Sequence, residues 1–162
     1  LKTLNFHKVI TATAAHLDQL VLLFDEYRIF YKQEGNLDAA KNFLSERFEK
    51  EDSIILIVLS ENNEPMGFTQ LYPSFSSVSM QRYYILNDLF VEQVAERKKE
   101  RKKERGWRST LQKRKTVAIA NNSKGITLET ETTNPAQKLY ERLDWKKVTE
   151  VNHFTWETPP NI

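Results

Sequence analysis

The chain has 162 residues, of which 40% are hydrophobic and 28% are charged, with a formal net charge of +2. These values predict one soluble globular domain with a sizeable core and argue against wholesale disorder. The absence of cysteine excludes disulfides, a thiolate nucleophile and cysteine metal sites. The three histidines are far apart in sequence, so we expect no metal. Without a secretory leader or a run of about 18 apolar residues, we expect a cytoplasmic protein with no membrane partner.

The first part of the chain, residues 1–91, is predicted to contain one strand, two helices and three further strands. Apolar residues recur every three or four positions before and after the break at Gly35-Asn36, which indicates two amphipathic helices. A β-branched run and a polar turn then predict a buried strand and a hairpin. The predicted strands are Leu4–Ile10, Ser53–Leu59, Met66–Tyr72 and Tyr83–Val91, and the helices are Ala14–Tyr31 and Asp38–Phe48.

The rest of the chain is predicted to hold a long basic helix, 92–120 within the segment 92–123, and then a strand–helix–strand unit with a terminal strand in residues 124–162. Asn134 suits the N-cap of the short helix, because its side-chain oxygen can accept an N–H of the first turn. Pro135 follows where proline is tolerated. The predicted strands here are Gly125–Glu131, Trp145–Val148 and Asn152–Glu157, and we expect the last to pair across a homodimer.

One stretch, N-x-x-A-x-x-L-Y-x-x-L-x-W from Asn134 to Trp145, resembles the distal acetyl-CoA motif of the GNAT superfamily of N-acetyltransferases. The resemblance implies that Asn134, Ala136 and Tyr140 contact the thiol end of acetyl-CoA. It also implies that Tyr140 protonates the departing thiolate. Asp144 stands where the family usually has glycine, and aspartate also tolerates turn geometry.

A second stretch, Ile85–Val91, resembles the central GNAT strand. In the family this strand carries a β-bulge and separates from the next parallel strand, which implies a thioester site here. The N–H of Leu89 or Phe90 would stabilise an oxyanion, and the backbone through Val91 would pair with the pantetheine amides. Asp88 would hold the amine or take its proton, and the alternative bases are Glu129 and Glu131.

The element order β-α-α-β-β-β-α-β-α-β-β is that of the GNAT fold. The resemblance therefore implies an α/β (α+β) protein with a mixed, mainly antiparallel central sheet that splays between its fourth and fifth strands. It covers almost the whole chain, and residues 1–162 would form a single acetyltransferase-like domain.

The pyrophosphate loop is where the chain departs from the family pattern, because the glycines expected after Val91 are largely replaced by charged residues. Three alternatives stay open: binding through Lys and Arg charge and a turn at Gly106, a repeat that does not belong to the natural chain, or loss of cofactor binding. Glu–Lys pairs at i,i+3 predict a helical repeat in every case. The first alternative assigns the pyrophosphate to Lys103, Arg105, Gly106, Trp107 and Arg108.

The leading functional hypothesis is an acetyl-CoA-dependent N-acetyltransferase whose acceptor is a primary amine of a small molecule or a basic peptide. The alternatives are a non-catalytic GNAT-fold protein and a nucleic-acid-binding module acting through the basic segment 97–115, although the interleaved glutamates weaken that field. The tyrosines that could line an amine-binding cleft near Asp88 are Tyr27, Tyr31, Tyr72, Tyr83 and Tyr84.

Overall fold

A computed structural model describes residues 8–91, 100–134 and 136–158, without the side chains of residues 100–107. The chain divides into two compact units, one up to Glu129 and one from Thr130 onward. Among the described residues, the first unit holds a five-stranded sheet with three helices, and the second holds one short helix and a tail without regular secondary structure.

The strands of the first unit are β1 (Lys8–Thr11), β2 (Ile54–Leu59), β3 (Pro65–Ser76), β4 (Gln81–Val91) and β5 (Ile126–Leu128). They lie in sequence order, with β1 to β4 antiparallel and β4 parallel to β5. The helices are α1 (Leu17–Phe30), which follows a 3₁₀ turn at Ala14–His16, α2 (Leu37–Lys50), α3 (Glu100–Ala120) and, in the second unit, α4 (Gln137–Arg142).

The core of the first unit lies between α1, α2 and one face of the sheet. Side chains alternate along β2, so that Ile55, Ile57 and Leu59 join Leu20 and Leu44 of the helices in one buried cluster. The residues of the other parity, including Leu56 and Val58, are buried as well. The helix α3 packs against β4, β2 and β1. Both faces of the central strands are therefore covered.

The strands and helices predicted up to Val91 are confirmed where the structure describes them, with longer β3 and β4 strands than the sequence indicated. The residues predicted as a polar connection after Tyr72 extend the hairpin instead, since Pro73–Ser76 pair with Gln81–Tyr84. Residues 4–7 of the first predicted strand, residues 92–99 of the predicted helix and Pro135 lie outside the described residues.

Two predictions for the second unit are wrong: neither Trp145–Val148 nor Asn152–Glu157 forms a strand. An extended segment becomes a strand only where a neighbour accepts its hydrogen bonds, and none of the described residues pairs with these. In the first unit, β5 is shorter than predicted and ends at Leu128. The homodimer expected through the last strand stays a prediction.

Candidate active site

The centre of the candidate site is a β-bulge in β4. Leu86 pairs with Leu71 and Asp88 with Gln70, so Asn87 is an extra residue without a partner on β3. Because side chains alternate across a strand, one extra residue exchanges the faces of all residues beyond it. Asp88 therefore shares a face with Ile85 rather than with Leu86. The bulge predicted for this strand is confirmed.

Two residues of β3 fit the bulged strand closely. The Thr69 hydroxyl donates a 2.6 Å hydrogen bond to the carbonyl oxygen of Asp88, which satisfies a backbone acceptor at the irregularity. A Cβ on Gly67 would lie 2.4 Å from the carbonyl oxygen of Phe90. Glycine is thus required at 67 for the two backbones to approach. Together these contacts fix β4 on both sides of Leu89.

Asp88 lies deep in the face covered by α1, with only 4% of its surface exposed. Burial raises the pKa of its carboxyl above the ordinary aspartate range, and interactions with the Tyr27 hydroxyl and the Asn87 amide oppose that rise. The Asn87 Nδ2 donates to the Asp88 Oδ1 at 3.3 Å. A carboxylate with a raised pKa accepts a proton more readily near neutral pH, as a general base must.

Two tyrosines flank this carboxylate. Burial, and after it the charge of Asp88, raises the pKa of Tyr27 and of Tyr72 well above the ordinary tyrosine range. Both phenols are therefore neutral hydrogen-bond donors at physiological pH. The Tyr27 ring packs with its centroid 5.6 Å from that of Phe68 and 6.1 Å from that of Phe90, so α1 forms an aromatic wall beside Asp88.

The other tyrosines of the predicted cleft are placed differently. The Tyr31 ring lies 5.0 Å from the Tyr27 ring and is half exposed. Tyr83 pairs with Ser74 and has the same parity as Asp88 after the bulge. Tyr84 is 1% exposed and pairs with Pro73, on the opposite face. The prediction that Tyr84 lines the cleft is wrong, because the bulge places Tyr84 and Asp88 on opposite faces of the sheet.

β4 and β5 separate at the level of the bulge. They pair through Tyr84–Ile126, Ile85–Thr127 and Leu86–Leu128, after which β5 ends and β4 continues to Val91. Within the described part of the first unit, no strand takes up the β5-side backbone groups of residues 87–91. The predicted splay between the fourth and fifth strands is confirmed. Glu129 follows β5 and is exposed.

In the second unit, Asn134 organises the start of α4. Its Oδ1 accepts the Ala136 N–H at 2.9 Å, and its Nδ2 donates to the Thr130 hydroxyl at 2.8 Å. The helix begins at Gln137, with Ala136 as N-cap, so Asn134 stabilises the preceding turn and the predicted N-cap position is two residues early. Ala136 is 6% exposed.

Tyr140 is half buried on α4, and its ring centroid lies 6.0 Å from that of Trp145. The helix ends in a turn at Asp144, whose φ of 63° lies in the left-handed region. Aspartate is one of the non-glycine residues that adopt this conformation most often. The expectation that Asp144 replaces a glycine without loss of the turn is confirmed.

The basic segment is helical from Glu100 to Ala120, as its Glu–Lys spacing predicted. Gly106 lies inside α3, so the expected turn at this glycine is wrong. The reason is that good helix formers surround Gly106, and a single glycine costs a helix only about 1 kcal/mol. The side chains of Lys103, Arg105 and Trp107 lie outside the description, and Arg108 is exposed.

Two residues at the bulge were not singled out from the sequence: Thr69 and Gln70. An unbroken register counted from the hairpin turn would pair Gln70 with Asn87 and leave Asp88 on the other face. Only the position of the bulge shows that Gln70 and Asp88 lie side by side. The described residues hold no group of three or more metal-ligating side chains and no helix long and apolar enough to cross a membrane.

A mainly antiparallel sheet with a parallel fifth strand, which parts from a bulged fourth strand, defines an acetyltransferase fold of the GNAT type. Comparison with known proteins supports this class. The chain is 43% identical over 157 residues to the uncharacterized N-acetyltransferase YhfO of Bacillus subtilis (strain 168), covering 96% of this chain and 99% of that protein. No protein-family model matches the chain.

Solved structures agree. A crystal structure of a probable acetyltransferase is 32% identical, with a TM-score of 0.85 and coverage of 95% of this chain and 99% of the other. The aminoglycoside N-acetyltransferase AAC(6')-Iy, solved with CoA, shares the fold at 13% identity, with a TM-score of 0.72 and coverage of 98% and 99%. The chain belongs to the GNAT superfamily of N-acetyltransferases. Acetyl transfer is the activity for which its relatives are named.

Proposed function

We propose that the chain transfers the acetyl group of acetyl-CoA to a primary amine of a small molecule or a basic peptide, by direct attack beside the β4 bulge. The observation that carries the proposal is that three features coincide in β4. The strand bulges at Asn87, it leaves β5 after Leu86, and it buries the Asp88 carboxyl at the same level.

The backbone of β4 beyond the bulge suits an extended thioester ligand. In the described first unit no strand pairs with the β5-side groups of Leu89, Phe90 and Val91. A pantetheine chain carries amides and can add to such an edge in the manner of an extra strand. One N–H, that of Leu89 or Phe90, would stabilise the negative charge on the carbonyl oxygen during attack.

The amine site is proposed at Asp88. The amine nitrogen attacks the thioester carbonyl carbon, the C–N bond forms and the C–S bond breaks. The proton of the amine passes to Asp88, directly or through a water molecule, and the raised pKa of that carboxyl favours the transfer. Glu129, exposed after β5, is the alternative base.

The resemblance assigns the leaving group to Tyr140, whose hydroxyl would donate a proton to the thiolate and regain one from solvent. Asn134 and Ala136 are proposed as further acetyl-CoA contacts. For the pyrophosphate, the positive charges of Lys103, Arg105 and Arg108 supply attraction. Gly106 and Trp107, in the same part of α3, stay proposed contacts.

The experiment is a titration of the chain with acetyl-CoA by calorimetry, followed by an acceptor screen that detects free CoA with a thiol reagent. Because the chain has no cysteine, the reagent reports only on CoA. The proposal expects saturable binding and release of CoA that depends on the amine. Absence of acetyl-CoA binding, together with salt-sensitive binding of duplex DNA, would overturn it in favour of the nucleic-acid hypothesis.

A further inference from the structure

Gln70 presents a buried acceptor that needs a donor. The residue is fully buried in the middle of β3, and its Nε2 donates to the Ser53 hydroxyl oxygen at 2.8 Å. Its Oε1 has no hydrogen-bond partner among the residues that the structure describes. Leaving such a group unsatisfied is costly, so a buried acceptor of this kind indicates a water or a ligand.

The neighbour of Gln70 is itself an acceptor. Gln70 pairs with Asp88 across the two strands, and directly opposite side chains on one face have Cβ atoms about 4.5–5.5 Å apart. An ionised carboxylate accepts hydrogen bonds but donates none. The amide group donates to Ser53, on the β2 side, rather than to Asp88, although a bond to a charged acceptor is the stronger one. Two acceptors therefore stand side by side.

The surroundings favour a cation. The guanidinium of Arg47, whose charge acts on Tyr72, is already paired: its Nε lies 2.7 Å from the Asp52 Oδ1, and its NH2 nitrogen 3.3 Å from a Glu46 oxygen. Across the part of the chain that the structure describes, Asp88 forms no ion pair with a lysine or an arginine. The rings of Tyr27 and Tyr72 beside it can stabilise a positive charge through their faces.

We propose that the Oε1 of Gln70 and the carboxylate of Asp88 together bind the ammonium nitrogen of the acceptor amine, so that Gln70 contributes to the affinity for the acceptor. The inference rests on the proposed function and extends it to a residue outside the family motifs. A primary alkylammonium has three N–H groups. After one proton has passed to Asp88, two N–H groups remain, one of which donates to Gln70, and the lone pair is free to attack. A secondary ammonium has two N–H groups, so it can engage the same two acceptors.

The test compares the wild type with Gln70→Met, which keeps the length of the side chain and removes both polar atoms. The substrates are n-butylamine and N-methylbutylamine at saturating acetyl-CoA. For n-butylamine we expect KM to rise about 10- to 100-fold, as for a lost hydrogen bond to a charged group. The ratio of the kcat/KM values for the primary and the secondary amine should change little, because both amines lose one hydrogen bond to Gln70, while the Kd of acetyl-CoA stays unchanged.

A matched control is Gln112→Met on the exposed side of α3, which should leave both the KM and the ratio unchanged. If Gln70 only fills a structural role, Gln70→Met lowers the melting temperature but keeps the wild-type KM, and that result overturns the inference while acetyl transfer stands. If the wild type acetylates no amine, the proposed function fails first.

A second measurement uses only the wild type and so does not depend on the folding of the variant. The side-chain amide signals of Gln70 are followed by nuclear magnetic resonance during titration with n-butylammonium. We expect a saturable shift of these signals, and a much smaller one with tetramethylammonium, which has the charge but no N–H. Equal shifts with both ions, or none with either, would overturn the assignment of Gln70.

Discussion

The β4 bulge and the segment from Thr130 to Trp145 are held in different ways. At the bulge, Asp88 is contacted by residues that are distant in the sequence, since Thr69 lies on β3 and Tyr27 lies on α1. In the other segment, the side-chain hydrogen bonds of Asn134 and Gln137 within the described residues join positions at most six apart. The geometry of the first region depends on contacts between distant parts of the chain, and the geometry of the second depends on contacts between near neighbours in sequence.

This difference predicts which substitutions should affect global stability and which should affect only function or local order. A side chain at the bulge is coupled to burial, charge and register at once, so its replacement should alter chemistry and global stability together. A side chain in the local segment has few distant contacts among those described, so its replacement should alter function or local order with little effect on the fold.

The largest effect is expected for Asp88→Asn. Removing the proposed base should lower kcat/KM for the amine about 10²- to 10⁴-fold, the usual contribution of a positioned general base, while the Kd of acetyl-CoA stays unchanged. Steady-state kinetics and calorimetry on the same samples measure both quantities. Glu129→Gln is the matched control, and a larger loss in that variant would transfer the role of base to Glu129.

The next effect is expected for Tyr140→Phe, which removes the hydroxyl from the local segment. Loss of a general acid should lower kcat about 10²-fold or more without changing the affinity for acetyl-CoA or the melting temperature. The control is Tyr84→Phe, which removes the same atom from the opposite face of β4 and should keep kcat. An unchanged rate in Tyr140→Phe would contradict the acid role.

Thr69→Val should affect stability more than any polar change in the local segment. The valine matches threonine in shape but leaves the Asp88 carbonyl without its buried donor, at a cost of about 1–3 kcal/mol in the free energy of unfolding. Urea denaturation measures this. Thr116→Val removes a 3.3 Å bond to Gln112 on exposed α3 and should change the same quantity by under about 0.5 kcal/mol. Equal losses in the free energy of unfolding for the two variants would mean that the Thr69 bond stabilises the protein no more than an exposed helix bond does.

The pH dependence of stability should show the burial of Asp88. Because its folded-state pKa is raised, the folded protein holds this proton more tightly than the unfolded chain does. The stabilisation is therefore complete below about pH 4, the unfolded pKa of aspartate, and is lost as pH rises through the folded-state pKa. Asp88→Asn should thus melt higher than the wild type at pH 7, and this advantage should shrink toward pH 4. A difference independent of pH would contradict the raised pKa.

The smallest global effect is expected for Asn134→Ala. Without its side-chain oxygen, the Ala136 N–H loses its partner, and helix-start bonds of this kind contribute about 0.5–2 kcal/mol locally. Amide hydrogen exchange should accelerate at Ala136 and through α4, with β3 and β4 unchanged. Acceleration that spread into the sheet would show that the segment is not local in the sense described above.

The sequence could predict what depends on neighbouring residues. The turn at Asp144 and the helical repeat of α3 follow from residue types and their spacing, and both are confirmed. Pairings between distant residues were harder to predict. The extra residue at Asn87 decides that Gln70 faces Asp88 and that Tyr84 does not, and alternation alone gives the opposite result. The strands predicted near Val148 and Trp156 failed for the same reason, because a strand requires a partner that its own residues do not specify.

The extra residue in β4 has a consequence for comparing this chain with its relatives. A relative that lacks the residue at position 87 could keep every strand, every helix and the aspartate itself. Its carboxylate would nevertheless lie on the opposite face of the sheet, away from α1. Conversely, inserting one residue at that position in such a relative would place the carboxylate on the face covered by α1, without any change in side-chain chemistry. Aligned identity at Asp88 therefore carries functional meaning only when the number of residues between it and the hairpin tip is also the same.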